Sequence, residues 1–270
     1  MLTLLKSILP SVLKSGEEVL KIYNSEFSVT YKKAEDPLTQ ADLLVHKILA
    51  ESTEKVLPGS ILLSEEGKIP QTSNELWILD PIDGTREFVK KNNQFAISLA
   101  YTRSDGNSMG IILNPATGDL FLGIQGMGVS FSKMQNPKFP DGSKPLEGIG
   151  DTPVSVLVSN TEFKENLFRD PLWKLFQLNP IGSIAYKLGL VGVGLHDLTI
   201  SLKPKNDWDI AAGVIIVQAA GGKALSLDGE IFNFFRTEKE KKGILAGRKP
   251  IVDDLLDTHS EILRRDWREH

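Results

Sequence analysis

Four apolar segments of strand length follow one another between Phe95 and Ser132, and they constrain the fold more than any other feature of the chain. Their sequences are FAISLAY, MGIIL, DLFLGI and GVSFS. The breaks between them contain DG, NPATG and QGMG, which supply the residue types that tight turns need. This series predicts a meander of antiparallel strands joined by short turns.

Helices and two further strands are predicted before the meander. Residues 3–23 and 40–57 carry apolar side chains near the helical period, and Thr39 is available as the N-cap of the second helix. Ser60–Ser64 and Leu76–Asp80 are short apolar runs of strand length. The first half of the chain is therefore predicted to contain helices followed by a largely antiparallel sheet.

A change of composition divides the chain near its middle. Residues 134–152 are rich in proline, glycine and charge, which is typical of a boundary between domains. Strand-like and helix-like segments then alternate, in the order VSVLVS, GSIAYKLGLVGVG, DLTISL, DIAAGVIIVQAAGG, KALSL, GILAG and a last helix over Ile251–Arg265. We predict an N-terminal α+β metal-binding domain over residues 1–150 and a C-terminal α/β domain over residues 151–270.

Composition and charge exclude several classes of function. The chain has no cysteine, which removes disulfides, thiolate nucleophiles and cysteine metal sites and is compatible with the cytoplasm, where we expect the protein to reside. A net charge of −4 does not favour a nucleic-acid polymer as a partner. Charged residues interrupt the apolar start of the chain, so we expect an amphipathic first helix and no export signal or membrane span.

The stretch DPIDGT places two aspartates where an apolar run stops. Because Pro81 cannot donate a ladder hydrogen bond, we expect strand pairing to end at Asp80 and the chain to turn. Gly84 permits unusual dihedral angles, which lets Asp80 and Asp83 point at one place. On these residues alone two readings stay open: an ordinary strand end followed by an Asx turn, or a pair of carboxylates that binds Mg²⁺ or Ca²⁺.

Further acidic residues occur at comparable positions elsewhere in the chain. Glu65 and Glu66 follow the strand-like run ILLS, Asp42 begins the second helix, and Asp209 begins the helix DIAAGVIIV. Asp42 and Asp209 also have an ordinary role, since a carboxylate in the first turn of a helix interacts favourably with the helix dipole. Four separate acidic sites at strand ends and helix starts nevertheless predict a metal cluster that could also hold a phosphate.

Five motifs in this order resemble the inositol monophosphatase superfamily of Mg²⁺-dependent, lithium-sensitive phosphatases, and the resemblance covers nearly the whole chain. They are DPLTQAD (36–42), SEE (64–66), WILDPIDGTREF (77–88), GSIA (182–185) and WDIAAG (208–213). The motifs are most similar to those of the 3′(2′),5′-bisphosphate nucleotidases. The resemblance implies a layered α/β/α/β/α sandwich and a phosphoric monoester hydrolase, and many members of the superfamily are homodimers.

The resemblance also implies a role for each motif residue. Two or three Mg²⁺ ions, for which Mn²⁺ could substitute, would be held by Glu65, Asp80, the Ile82 carbonyl, Asp83 and Asp209. Phosphate and substrate would contact Asp83, Gly84, Thr85, Gly182, Ser183 and Asp209. The catalytic residues would be Asp42, Thr85 and Glu65. Asp42 would accept a hydrogen bond from the Thr85 hydroxyl, which would orient and help to deprotonate the attacking water.

The segments around the motifs bear on the substrate, which is expected to be a small phosphorylated metabolite. DGTREF together with LSEE resembles the bisphosphate nucleotidases, and Lys203 and Lys205 could meet a second phosphate, although they could equally be solvated loop charges. We therefore expect hydrolysis of 3′-phosphoadenosine 5′-phosphate to AMP. The alternatives are an inositol-1-monophosphatase, a sugar bisphosphatase, or a non-catalytic binding or regulatory protein of the same fold.

Overall fold

The structure of the protein, a computed structural model, describes residues 1–33, 36–67, 73–148, 150, 152–235 and 243–265. Its α-helices are α1 (Leu2–Tyr23), α2 (Gln40–Val56), α3 (Thr85–Val89), α4 (Asn160–Lys164), α5 (Ile184–Gly192), α6 (Asp207–Ala219) and α7 (Lys249–Leu263). A 3₁₀ turn covers Pro171–Leu175. Within these ranges, no helix combines the length and the apolar character that a membrane crossing needs.

The strands form a two-stranded hairpin and two larger sheets. The hairpin pairs β1 (Val29–Lys33) with β2 (Asp36–Thr39). The six-stranded sheet has the order β3-β4-β5-β6-β7-β8 and contains β3 (Leu62–Ser64), β4 (Glu75–Asp83), β5 (Ala96–Arg103), β6 (Ser108–Asn114), β7 (Asp119–Ile124) and β8 (Gly128–Lys133). Only its β3–β4 pair is parallel. The predicted meander is thereby confirmed.

The five-stranded sheet belongs to the second half of the chain. Its order is β10-β9-β11-β13-β12, built from β9 (Ser155–Ser159), β10 (Gln177–Ile181), β11 (Leu198–Ser201), β12 (Lys223–Ser226) and β13 (Ile244–Gly247). Strand β9 runs parallel to both of its neighbours, whereas β13 runs antiparallel to β11 and β12. The sheet is therefore mixed, as expected where helices alternate with strands.

The two sheets and the helices stack as five layers. Along β4 the side chains alternate between faces: Trp77 and Leu79 pack with α1 and α2, whereas Leu76 and Ile78 pack with α5 and α6. The other face of the α5–α6 layer meets the five-stranded sheet, which buries Leu157, Ile244 and Ala246 in the same core cluster. Helix α7 covers the far side of that sheet. This is the layered α/β/α/β/α arrangement that the family resemblance implies.

Helix α6 lies unusually close to the six-stranded sheet at Gly110. A Cβ atom at Gly110 would collide with the carbonyl oxygen of Ala212, so only glycine fits between β6 and the helix backbone. Since α6 carries Asp209 in its first turn, this contact sets how near that residue lies to the sheet. The core cluster around α5 and α6 contains residues from both sides of position 150. The predicted division into two domains stays a prediction, and residues 149 and 151 of the boundary segment lie outside the described part of the chain.

Candidate active site

A bulge in β4 brings Asp80 and Asp83 together. Asp80 pairs with Ser98 and Asp83 with Ala96, so that two residues of β4 stand opposite one residue of β5. The prediction that pairing ends at Asp80 is therefore wrong, because the ladder resumes after Pro81 and Ile82. In a regular strand, residues three apart point to opposite faces, and one extra residue puts them on the same face. The bulge thus turns both carboxylates into one cavity.

The backbone next to this bulge is tied to the carboxylates. The Ile82 N–H donates to Asp80 Oδ1 at 3.0 Å. Glu65 directly follows the parallel neighbour β3, and its N–H donates to the Leu79 carbonyl at 3.3 Å, which holds Glu65 near Asp80. Glu65 lines the cavity, and Glu66 is not among the described residues that line it. The second predicted acidic pair therefore contributes one carboxylate to this sheet end.

Gly84 and Thr85 form the turn that leads from β4 into α3. Gly84 has φ 91° and ψ 35°, a left-handed conformation that favours glycine. The Thr85 hydroxyl oxygen lies 2.9 Å from the Ile82 carbonyl oxygen and 3.4 Å from Asp42 Oδ1. Because a hydroxyl group has one proton, it can donate to only one of these acceptors at a time. The contact between Thr85 and Asp42 that the family resemblance implies is present, but it is the longer of the two.

Asp42 and Asp209 occupy the same place in two different helices. Each is the third residue of its helix, and its carboxylate accepts the backbone N–H of the N-cap residue. For Asp42 the donors are the Thr39 N–H at 2.8 Å and the Thr39 hydroxyl at 2.7 Å. For Asp209 they are the Asn206 N–H at 2.7 Å and the Asn206 side-chain amide at 3.3 Å. The ordinary role of both residues at a helix start is therefore realised, in each case through the Oδ2 atom.

Residues at the start of α5 hold the Asp83 carboxylate in place through hydrogen bonds. The Ser183 hydroxyl donates to Asp83 Oδ2 at 2.6 Å, and the Ala185 N–H donates to the same oxygen at 2.5 Å. Ser183 has φ 57° and ψ 115°, a strained conformation for a residue with a side chain, of the kind that concentrates at functional sites. The Gly182 N–H is bonded to the Gln94 side chain at 2.8 Å. Within the described part of the chain, the bonds of Asp83 use Oδ2 alone, which leaves Oδ1 for another partner.

These residues surround one cavity of about 200 Å³. Its lining consists of Glu65, Asp80, Ile82, Asp83, Gly84, Thr85, Ser159, Ser183, Ile184, Lys187, Lys205 and Asp209. Two of the predicted site residues, Asp42 and Gly182, are not in the described lining but adjoin it. Asp42 lies near the Thr85 hydroxyl, and Gly182 directly precedes Ser183. All the others meet in this cavity.

Burial and mutual repulsion act on the carboxylates of the cavity. Burial raises the pKa of Asp80 well above its usual range, and Glu65, Asp83 and Asp209 add to the effect. The pKa of Asp209 is raised to about 7, first by burial and then by Asp83. Burial also raises the pKa of Asp83, although the bonds from Ser183 and Ala185 oppose the shift. A cation among these groups would relieve the repulsion.

The donor set fits Mg²⁺. Four carboxylates and the Ile82 carbonyl are hard oxygen donors, which Mg²⁺ prefers. Across the described ranges, no three acidic or histidine side chains already stand at the spacing of a closed metal site. Mg²⁺ usually keeps several waters and is bound through one or two carboxylates, so a site for it does not require three such side chains in place.

Two lysines line the same cavity as the carboxylates. Lys187 of α5 is only 2% exposed, and burial together with Lys205 lowers its pKa to about 8. Lys205 lies in the loop before α6. Lys203, the other lysine of the predicted pair, is not in the described lining and forms an ion pair with Glu165 at 2.5 Å. Lys187 was not among the predicted site residues, although a lysine inside the apolar stretch GSIAYKLGLVGVG was a usable signal.

Comparisons with known proteins agree with this geometry. The Inositol monophosphatase family model matches residues 3–264. A "Fructose-1,6-bisphosphatase/inositol-1-monophosphatase" of Thermotoga maritima is 28% identical, with 84% of each chain covered. A "3′(2′),5′-bisphosphate nucleotidase CysQ" of Aggregatibacter actinomycetemcomitans is 27% identical, with 87% of this chain and 88% of the relative covered.

A solved structure described as an IMPase/NADP phosphatase complexed with Mg²⁺ and phosphate superposes with a TM-score of 0.77 at 21% identity. It covers 95% of this chain and 97% of its own, which supports the fold. The cavity of carboxylates and the match over nearly the whole chain lead to one conclusion: the chain belongs to the inositol monophosphatase family and is a metal-dependent phosphoric monoester hydrolase.

Proposed function

We propose that the protein is a Mg²⁺-dependent 3′(2′),5′-bisphosphate nucleotidase that hydrolyses 3′-phosphoadenosine 5′-phosphate to AMP. The observation that carries this proposal is the presence of both signs of charge in one cavity. The carboxylates of Glu65, Asp80, Asp83 and Asp209 line the cavity together with Lys187 and Lys205. A substrate with one phosphate to lose and a second to retain matches a cavity that contains both kinds of charge. The CysQ relative is named for such a reaction.

In this proposal the acidic residues hold two or three Mg²⁺ ions, with Mn²⁺ as a substitute. The ligands are Glu65, Asp80, the Ile82 carbonyl, Asp83 and Asp209. Bound Mg²⁺ supplies positive charge that acidifies water and neutralises the phosphate oxygens. The carboxylates keep their protons to an unusually high pH while no cation is present, so binding of the ions releases protons.

Thr85 and Asp42 are proposed to orient the attacking water. The Thr85 hydroxyl lies in the lining and can accept a hydrogen bond from a water molecule. It can pass its own proton to Asp42, whose Oδ1 atom is 3.4 Å away. Burial raises the pKa of Asp42 to about 6, which suits a base that works near neutral pH. Glu65, on the neighbouring strand end, is the third proposed catalytic residue.

The remaining contacts position the phosphate. Gly84 and Thr85 would offer backbone N–H groups, and Ser183 holds Asp83 in place through its hydroxyl. In-line transfer of a phosphoryl group requires mainly positioning and charge neutralisation, so no covalent phosphoenzyme is needed. The substrate contact of Gly182 stays a prediction, because its N–H is bonded to Gln94. The homodimer, lithium sensitivity and cytoplasmic location also stay predictions.

A sugar bisphosphate is the second candidate substrate, since it too carries two phosphates and the Thermotoga maritima relative is named for fructose 1,6-bisphosphate. Phosphate release should therefore be compared by kcat/KM for adenosine 3′,5′-bisphosphate, fructose 1,6-bisphosphate and inositol 1-phosphate in Mg²⁺. We expect kcat/KM for the nucleotide to exceed kcat/KM for either of the other substrates by about tenfold or more. Undetectable release from the nucleotide would reverse the proposal. Asp83→Asn, which removes one charge from the cavity, serves as the inactive, folded control.

A further inference from the structure

We infer that Lys187 and Lys205 form an anion subsite that receives the second phosphate of the substrate, and that Glu162 positions this subsite. The inference rests on the proposed function in one respect, namely that the phosphate to be cleaved lies at the carboxylates of the cavity. It adds the residues that decide between bisphosphates and monophosphates. It is also independent of whether the rest of the substrate is a nucleoside or a sugar.

Lys187 is a buried cation whose ammonium group can donate more hydrogen bonds than it makes within the described residues. Its side chain is 2% exposed and lines the cavity. In the described part of the structure its ammonium group makes one hydrogen bond, to the Ile181 carbonyl at 3.3 Å. An ammonium group has three N–H donors, and a buried charge is costly unless it is paired and hydrogen-bonded. Lys187 therefore fits a ligand that brings several acceptor oxygens, as a phosphate does.

Lys205 brings a second positive charge to the same place. It lines the cavity and lies close enough to Lys187 to lower the pKa of that residue. The two neighbouring ammonium groups repel each other, and the effect of Lys205 on the pKa of Lys187 is larger than the opposing effect of Glu162, of Asp83 or of Glu87. An anionic ligand beside the two lysines would relieve their repulsion.

Glu162 holds the loop that presents Lys205. This glutamate of α4 is 1% exposed, and it accepts hydrogen bonds from the Ser201 hydroxyl, the Leu202 N–H at 2.9 Å and the Lys203 N–H at 3.1 Å. Its nearest oxygen is 3.7 Å from the Lys205 ammonium group, which is too far for a hydrogen bond. Glu162 therefore attracts Lys205 and fixes its loop without using its donors.

A different role for the lysines would be to balance the charge of Glu162, Asp83 and Glu87, all of which favour the charged form of Lys187. Charge balance would affect every substrate alike, because it acts through the carboxylates of the cavity. A phosphate subsite affects only substrates that carry the second phosphate. The comparison of two such substrates separates the roles.

The test uses adenosine 3′,5′-bisphosphate and 3′-AMP, which differ only in the 5′-phosphate. Lys187→Met and Lys205→Met should each lower kcat/KM for the bisphosphate by about 10- to 100-fold more than they lower kcat/KM for 3′-AMP, mainly through KM. Lys205→Arg should retain most of the preference, since it keeps the charge. Lys203→Met is the matched control: it removes a lysine of the same loop that points to Glu165, and it should alter neither substrate.

Glu162→Gln keeps the size of the side chain and should raise KM for the bisphosphate more than it raises KM for 3′-AMP. Equal losses on both substrates in the lysine variants, or no loss on either, would overturn the inference. If the wild-type protein cleaves neither nucleotide, the proposed nucleotidase function fails, and fructose 1,6-bisphosphate is compared with fructose 1-phosphate. If the wild-type protein prefers fructose 1,6-bisphosphate to fructose 1-phosphate and Lys187→Met abolishes this preference, the subsite is supported. If the wild-type protein shows no such preference, the subsite is refuted.

Discussion

The first turns of α2 and α6 are built alike and differ in what surrounds them. In both, an aspartate at the third helical position accepts the N–H of the N-cap residue through Oδ2. Asp42 then has Thr85 near its other oxygen, whereas Asp209 lines the cavity beside Asp83. The pKa is raised to about 6 for Asp42 and to about 7 for Asp209, where Asp83 adds its repulsion to the effect of burial.

An aspartate at the third position of a helix can therefore have a structural role and a chemical role at the same time. One carboxylate oxygen completes the helix start, and the second remains for catalysis or for a cation. The helix cap fixes the side chain, and its neighbours in the fold decide what it does. Three predictions follow from the difference between the two helix starts, beginning with the largest effect.

Asp209→Asn should lower kcat/KM by about a thousandfold or more, because it removes a charged ligand from the metal site. The variant should remain folded and should melt at a higher temperature than the wild type in EDTA, since it lacks one repelling charge. Phosphate release and thermal denaturation with and without Mg²⁺ measure both effects. Retention of activity would show that Asp209 only caps α6.

Asp42→Asn should lower kcat by about 100- to 10,000-fold, the usual contribution of a positioned base, and leave stabilisation by Mg²⁺ intact. In this it should differ from Asp209→Asn, which weakens Mg²⁺ binding. Thr85→Ala should have a similar effect on kcat, and the double variant should be little worse than either single one if the two residues act as a unit. Strictly additive losses would contradict the link between Asp42 and Thr85.

The stability of the metal-free protein should fall as pH rises from about 4 to about 7. The folded protein binds protons at Asp42 and Asp209 that the unfolded chain has already released, since both pKa values are raised from 3.8. Mg²⁺ requires ionised carboxylates, so its stabilising effect should grow over the same range. Melting temperatures at pH 5 and pH 8, with EDTA or Mg²⁺, test this, and Asp209→Asn should flatten the profile more than Asp42→Asn. A constant melting temperature in EDTA would contradict it.

The sequence predicted the longer elements of the fold because each carries a clear period and clear turn residues. Short elements escaped prediction: β10 has the sequence QLNPI and β2 has DPLT, and both contain a proline that argues against a strand. The bulge in β4 escaped it too. Pro81 indicates that one ladder hydrogen bond is lost. The sequence does not indicate that strand pairing resumes at Asp83, because this depends on Ala96 of the next strand.

The candidate site also contains residues that could be predicted from the sequence and residues that could not. Its acidic residues lie in motifs that can be read along the chain, and the structure brings them to one cavity. Lys187 and Glu162 lie in no such motif, and their proximity to Lys205 depends on how α4, α5 and the loop before α6 pack. Side chains joined only through the packing of distant segments could not be predicted from the sequence.

The contact at Gly110 has a consequence for the choice of cation. Asp209 is less than one turn from Ala212 on the same helix, and Asp80 is held on β4, two strands away from Gly110. The distance between α6, which carries Asp209, and the sheet, which carries Asp80, is therefore limited by a direct backbone contact with no side chain between. Discrimination between Mg²⁺ and the larger Ca²⁺ depends on cavity size. A larger residue at position 110, which is outside the described lining of the cavity, would push α6 and Asp209 away from the sheet and thereby change that size.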